Sequence, residues 1–242
     1  RLPLFITATC DVAPFDNPLI QSIGENLLLR PKTGAIALMT TTRLVFAFSN
    51  RIMNKNYLEA ALKRQADGTF PTLGDAVKRA KNFTYTFFGD AVNNRKFTLL
   101  GDPALTIALP SLTVNTTAVN GVPITAVPDT LKALSTYTIS GEISNAAGQV
   151  QDNFTGTVYM SVFDKKQSRS TLGNDPGSPV TNYTEQKNAL FKGKASVEQG
   201  KFKLSFIVPK DIDYRFGNGK ISFYTDNGLL DGNGTSTNII VG

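Results

Sequence analysis

The chain of 242 residues contains no histidine and a single cysteine. One cysteine excludes any disulfide within the chain, and cysteine pairing therefore says nothing about the redox compartment. Without histidine, no imidazole is present to act as general base or to ligate a metal. No apolar run reaches the roughly 18 residues needed to span a bilayer. The first residues also lack the charged start and long apolar centre of a secretory leader. No basic run exceeds two residues. A formal charge of +6 and a pI near 9.4 would attract anionic surfaces, but without a basic stripe nucleic acid is not an expected partner. The excess sits in the first half: residues 1–110 hold 13 Lys and Arg against 8 Asp and Glu, and residues 111–242 hold 12 against 11.

What is present divides the chain in two. Residues 1–110 read as alternating α/β elements. Leu4 to Ala8 forms an apolar run of the kind found in strands buried on both faces of a mostly parallel sheet. With no polar leader before it, the run predicts a cut inside a larger domain. Leu19, Ile23 and Leu27 have helical spacing behind an Asn17-Pro18 cap, which predicts a crossover helix over 18–29. Gly34 to Met39 reads as a second buried strand, followed by Thr40, Thr41, Thr42 and Arg43 at the strand end where α/β sheets bind ligands. Ser49 is placed to cap a helix to Gln65 with Ile52, Leu58, Ala61 and Leu62 inward, and Thr72 to cap one over 73–82. A third strand covers 97–100.

Past residue 110 the helical period disappears. Short β-rich runs at 112–114, 137–139, 156–163, 200–208, 219–224 and 239–241 are separated by turn residues, the spacing of an immunoglobulin-like β-sandwich over 111–242. Phe202, Leu204 and Phe206 alternate with polar residues and are expected in its core. Asp164 to Asn188 reads as a long exposed connection. Asp226-Asn-Gly228 and Asp231 to Gly234 allow a structural calcium loop, although hairpin turns account for the same residues.

Cys10 is the nucleophile candidate, because it follows the C-terminal end of a strand. A thiol with an ordinary pKa of about 8.5 is only a few per cent thiolate at pH 7 unless a base assists it. On the residues alone, Cys10 is therefore either a buried structural cysteine or a catalytic one. Arg43 would either bind an acidic substrate group or pair with a nearby Asp. Glu25 would support the site or simply stabilise a helix N-terminus.

Several stretches carry a resemblance: Thr7 to Cys10 with Phe15 to Pro18, Gly34 to Arg43, Leu73 to Asp75, Asn94 to Pro103, and, further on, Tyr214 to Tyr224 and Asn238 to Gly242. In these the chain resembles the gingipain-type, caspase-like cysteine peptidases, and within them the sortases of the type IX secretion system of Bacteroidetes. The resemblance implies the C-terminal part of a caspase-like α/β domain followed by the β-sandwich. It implies Cys10 as nucleophile, Thr41, Thr42 and Arg43 as part of the substrate pocket, and a partner His on a strand upstream of Arg1. The isolated chain is therefore expected to be inactive. No cofactor is expected. The implied partners are exported cargo with C-terminal sorting domains, other type IX components and an anionic lipopolysaccharide acceptor, at the outer face of the outer membrane. Two other readings stand beside this one: a secreted gingipain-like protease, and a non-enzymatic surface scaffold.

Overall fold

The computed structural model describes residues 2–125 and 130–242. The chain divides into two compact units, Arg1–Leu109 and Pro110–Gly242.

The first unit is α/β. Its strands are β1 (Leu4–Ile6), β2 (Ala37–Thr41) and β3 (Phe97–Gly101), and its helices are α1 (Ile23–Leu29), α2 (Ala47–Ala61), α3 (Leu73–Phe88) and the single turn α4 (Ala91–Asn94). β2 is central and buried at every position. It pairs parallel with β1 (Leu4 with Ala37) and antiparallel with β3 (Leu38 with Leu100). The expectation of a mostly parallel sheet is thus corrected to a mixed one. The three helices between β2 and β3 return the chain to β2 from the opposite direction. β1 is only half-buried, with Phe5 exposed, because among the described residues it pairs with β2 alone.

The core joins Met39, Met53, Tyr57, Ala76, Val77, Ala80 and Phe97. Ala76 and Ala80 have no bulk to hold α3 away from α2. Full burial of a side chain such as Met53 contributes about 1.5–3 kcal/mol.

Three helix boundaries differ from those read off the periodicity. α1 begins five residues after Pro18, because Ser22 and Glu25 form a reciprocal capping box that satisfies two otherwise unbonded helix-start donors. Leu19, Ile20 and Ile23 are left exposed. α2 starts at Ala47 with Phe46 as its cap residue, and Ser49 lies in its first turn with its hydroxyl on Asp90. Ile52 and Ala61 are buried as expected, but Leu58 and Leu62 are exposed, and Met53 and Tyr57 with Asn50, Asn54 and Asn56 complete the buried face. These amides are satisfied within the helices: Asn54 donates to the Asn50 carbonyl, and Asn56 to Thr84 at 2.8 Å. α3 does start on its Thr72 cap, but runs on to Phe88 and ends where Gly89 adopts a left-handed φ of 64°.

The second unit is all β: β4 (Leu112–Val119), β5 (Val122–Pro123), β6 (Thr130–Leu131), β7 (Thr136–Ser144), β8 (Gly156–Phe163), β9 (Gln167–Ser170), β10 (Asn182–Glu185), β11 (Ala189–Val197), β12 (Lys201–Ile207), β13 (Gly217–Asn218), β14 (Lys220–Asp226), β15 (Asp231–Ser236) and β16 (Ile240–Val241). The main sheet runs β11-β8-β14-β15-β4-β7-β12, with β5 beside β4, and a smaller sheet runs β13-β16-β6. Every pairing along the main path is antiparallel except β15 with β4, which pair parallel at Gly232 with Leu112 and Asn233 with Thr113. A single apolar core contains Val114, Ile139, Val158, Met160, Leu204, Ile221, Phe223 and Val241. Phe202, Leu204 and Phe206 are buried, while Lys201, Lys203 and Ser205 face out, as the alternation predicts.

The stretch from Asp164 to Asn188 is no plain connection, since β9 and β10 pair within it as an exposed hairpin. Its first residues, Asp164 and Lys165, are buried. Asn227 and Gly228 form the β14–β15 turn, in which the Asn227 side chain accepts from the amides of Leu229 and Leu230. Asp231 to Gly234 belong to β15 itself rather than to a turn.

Candidate active site

β1 and β2 run side by side, and the chain leaving β1 stays attached to β2. The amide of Thr7 donates to the Met39 carbonyl at 3.0 Å, the Thr41 hydroxyl to the Thr9 carbonyl at 2.9 Å, and the Ala13 amide to the Thr41 carbonyl at 3.0 Å. Cys10 lies at the apex of the loop these bonds pin down. The turn tightens directly after it, where Asp11 takes a left-handed φ of 53°. That conformation is uncommon for a non-glycine residue and is tolerated best by Asp and Asn. A short turn of this kind holds the thiol in one place at the end of the strand pair.

Cys10 is partly buried, and its Sγ donates to the Val45 carbonyl at 3.1 Å. The loop 42–46 is therefore the wall that the thiol touches. It is braced from the segment before β3. The Thr42 amide donates to the Lys96 carbonyl at 2.9 Å and its hydroxyl to the same oxygen at 3.2 Å; Lys96 Nζ donates to the Leu44 carbonyl at 2.8 Å. The Phe46 amide donates to Asn93 Oδ1 at 3.3 Å. Asn93 is itself fixed by Asp90, which accepts from its backbone and side-chain nitrogens. Burial pushes the Asp90 carboxyl up, but the hydrogen bonds from Ser49 and Asn93 outweigh it and hold the carboxyl below its ordinary value. Either side of Val45, the side chains of Leu44 and Phe46 are exposed.

The residues expected at the site occupy different environments. Thr41 is fully buried in β2, and its hydroxyl is committed to the loop of Cys10, so it braces that loop from below. Thr40 is buried as well and accepts from the Thr7 hydroxyl at 2.8 Å. Thr42 stands at the start of the wall with its hydroxyl on Lys96. Arg43 is exposed and makes a two-pronged ion pair with Asp16, at 2.9 Å from Nη1 and 2.5 Å from Nη2. The Arg43 hydrogen bond holds the Asp16 carboxyl below its ordinary range. Both partners are about half exposed, where solvent screens such a pair. Glu25 is the capping-box carboxylate, bonded to the amide and hydroxyl of Ser22. Asp102, in the Gly101-Asp-Pro103 turn, accepts from the Ala104 amide. The Val45 carbonyl, Asp16, Asn93 and Lys96 were not singled out by sequence. Asp16, Lys96 and the neighbouring Asn94 nevertheless lie inside the stretches that carry the family resemblance.

Among the described residues, no group of three or more His, Cys, Asp or Glu could hold a metal ion. No helix among them is long and apolar enough to cross a membrane.

A thiol held at a strand end beside a rigid loop is one part of a cysteine-peptidase site, which also needs a base. Residues 1–108 match the model of peptidase family C25, and for that segment the match and the structural likeness to PorU support the gingipain-type, PorU-like cysteine peptidase family. Among solved structures the chain is similar to dimeric latent PorU from Porphyromonas gingivalis, at 28% identity and a TM-score of 0.52 over 85% of this chain and 20% of that one. It also matches the Arg-specific cysteine proteinase gingipain R at 13% identity and a TM-score of 0.41. That match covers 100% of this chain and 46% of that one. The complex of Porphyromonas gingivalis RgpB pro- and mature domains matches at 13% identity, TM-score 0.42, over 100% and 47% of the respective chains. The chain thus spans one fifth to about half the length of the structures it matches. No curated protein matches it.

Proposed function

We propose that this chain carries the nucleophile of a cell-surface cysteine transpeptidase, the sortase type of the family, together with an immunoglobulin-like module. The observation that carries the reading is Cys10, its Sγ 3.1 Å from the Val45 carbonyl, on a loop tied at both ends to β2, in a segment that matches family C25. In this mechanism the Cys10 thiolate attacks the carbonyl carbon of the cargo peptide bond. The partner His of the family, which lies upstream of Arg1, takes the thiol proton and delivers it to the leaving amine, so that a thioester remains on Cys10. An amine on the acceptor then attacks the thioester, forms the new amide and regenerates the thiol. Thr41 and Thr42 hold the loops on either side of the thiol, and the exposed Arg43 reaches the incoming peptide by exchanging its partner Asp16. Taken alone, the chain has the nucleophile and no base, and is inactive.

The cargo on this reading ends in a C-terminal sorting domain, the acceptor is an anionic lipopolysaccharide, and the site works with other type IX components at the outer face of the outer membrane without a cofactor. The immunoglobulin-like reading of the second unit is supported by its mostly antiparallel strands packed around one apolar core.

The test uses a longer chain that includes the upstream His, with a sorting-domain cargo and an added amine. Cleavage is expected with the amine covalently joined to the new C-terminus, and Cys10→Ala should lower the rate by about 10³-fold or more. Cleavage unaffected by Cys10→Ala would refute the nucleophile. A free carboxylate as the only product would point instead to a hydrolytic, gingipain-like protease.

A further inference from the structure

We infer that the end of the first unit beyond the Cys10 loop is a docking face for an acidic, apolar-bearing stretch of the polypeptide substrate, away from the scissile bond. The inference rests on Cys10 as nucleophile and names the part of the substrate that is held beside it. Hydrogen bonds bring the start of α2, the end of α3 and α4 together there. The Ser49 side chain bonds to Asp90, the Phe46 amide donates to Asn93 at 3.3 Å, and Asn94 donates to the Lys81 carbonyl at 2.7 Å. Further along, Asn56 of α2 meets Thr84 of α3 at 2.8 Å. The two helices therefore run antiparallel, and the first turn of α2 lies beside the last turn of α3.

On this braced base the outward side chains are large and apolar. Phe46, Phe48, Phe87, Phe88 and Val92 are all exposed, from 45% for Phe88 to 74% for Phe46. The core beneath is filled without them, by Met53, Tyr57, Val77 and Phe97. Phenylalanines gathered at one end of a unit mark an interaction surface, unlike single apolar residues scattered over an ordinary one.

Charge narrows the partner. Residues 42–55 and 83–96, which build this end, contain five cations, Arg43, Arg51, Lys55, Arg95 and Lys96, against one carboxylate, Asp90. Asp90 is committed to Ser49 and Asn93. Arg51 and Arg95 are exposed and have no carboxylate partner among the described residues. The Arg51 guanidinium sits 5.4 Å from the centre of the Phe48 ring. Guanidinium groups among aromatic rings suit a partner that carries acidic and apolar side chains together.

Position selects the substrate itself. The face begins at the loop that the thiol touches, where the exposed Leu44 and Phe46 flank Val45, the acceptor of the Cys10 hydrogen bond. A membrane or a second copy laid on this end would cover the thiol. A polypeptide that brings a carbonyl to Cys10 passes the same loop and continues onto α2, α3 and α4.

The test has a binding arm on this chain and a kinetic arm on a longer one. Labelled peptides alternating Glu with Leu and Phe, the same peptides with Lys for Glu, and phosphatidylglycerol-containing vesicles are the probes. The Glu peptide should bind at least about tenfold more tightly than the Lys peptide, and more weakly as salt rises. Phe48→Ser with Phe87→Ser, and separately Arg51→Glu with Arg95→Glu, should each weaken it about tenfold or more with the melting temperature unchanged. In a chain that includes the upstream His, the same variants should raise KM for a sorting-domain cargo about tenfold while kcat holds. Cleavage of a short peptide spanning only the scissile bond should not change. Equal affinity for the two peptides, tighter binding of the vesicles, or a dimer of the chain that the Phe variants abolish would overturn the proposal. An unchanged KM in a chain whose cleavage still requires Cys10 would overturn it and leave the nucleophile standing. A raised KM in a chain whose cleavage survives Cys10→Ala would support the face and sink the nucleophile.

Discussion

Replacing Asp164 by Ala tests whether the buried Asp164–Lys165 ion pair organises the second unit. The Asp164 and Lys165 side chains are 1% and 9% exposed and meet at 2.9 Å. Asp164 also accepts from the Lys165 amide at 2.8 Å and the Asp213 amide at 3.1 Å. Its loss leaves the Lys165 ammonium buried with only the carbonyls of Asp213 and Val241. Breaking one side of a buried pair costs about 3–5 kcal/mol. For a unit of this size, at about 3–5 °C per kcal/mol, the melting temperature should fall by roughly 10–25 °C. Urea unfolding at pH 7 measures the free energy, and Asp164→Ala with Lys165→Met should recover most of the loss, because removing both charges also removes their desolvation cost. The pH dependence has a definite sign. Burial raises the Asp164 pKa, but the hydrogen bonds from Lys165 and Asp213 outweigh it, and the net shift is downward from 3.8. The carboxylate's contribution is thus fully present above pH 3.8 and is lost as pH falls through the lower, folded value. The gap between the wild-type chain and Asp164→Ala should narrow only in that acid range. A gap below about 1 kcal/mol at pH 7 would mean that the pair is effectively solvated, and the reasoning would fail.

Two other substitutions probe the two cores. The Tyr57 hydroxyl is buried without a partner among the described residues, and burial pushes its pKa from 10.0 up to about 12. The unfolded chain therefore ionises first, and stability should fall as pH rises above about 10. Tyr57→Phe should remove that alkaline loss while changing stability at pH 7 by no more than about 1 kcal/mol, read from urea unfolding at pH 7 and 11; a larger loss at pH 7 would reveal a hydrogen bond to the hydroxyl. Gly141 in β7 lies under the Phe202 ring, where a built Cβ comes within 2.3 Å of the ring and 2.5 Å of the Asn115 carbonyl. Gly141→Ala should cost about 1–3 kcal/mol by overpacking, and a neutral result would show that β4 and β7 can shift apart.

Much of this protein is decided by local chemistry. The switch from helical to two-residue periodicity near residue 110, the alternation of Phe202, Leu204 and Phe206, the Thr72 cap and the strand ahead of Cys10 all follow from side-chain order along a few residues. Even the start of α1 was written locally, in the Ser22-x-x-Glu25 pair, though apolar spacing pointed further upstream. What local order does not contain is which distant segments meet. The antiparallel return of β3, the parallel pairing of β15 with β4, the burial of Thr41 and the capture of Arg43 by Asp16 are contacts between residues far apart in the chain. So is the contact that defines the site, Cys10 with the carbonyl of Val45. A backbone carbonyl has the same chemistry in every residue, and only the packing of β2 between its two neighbours chose that one.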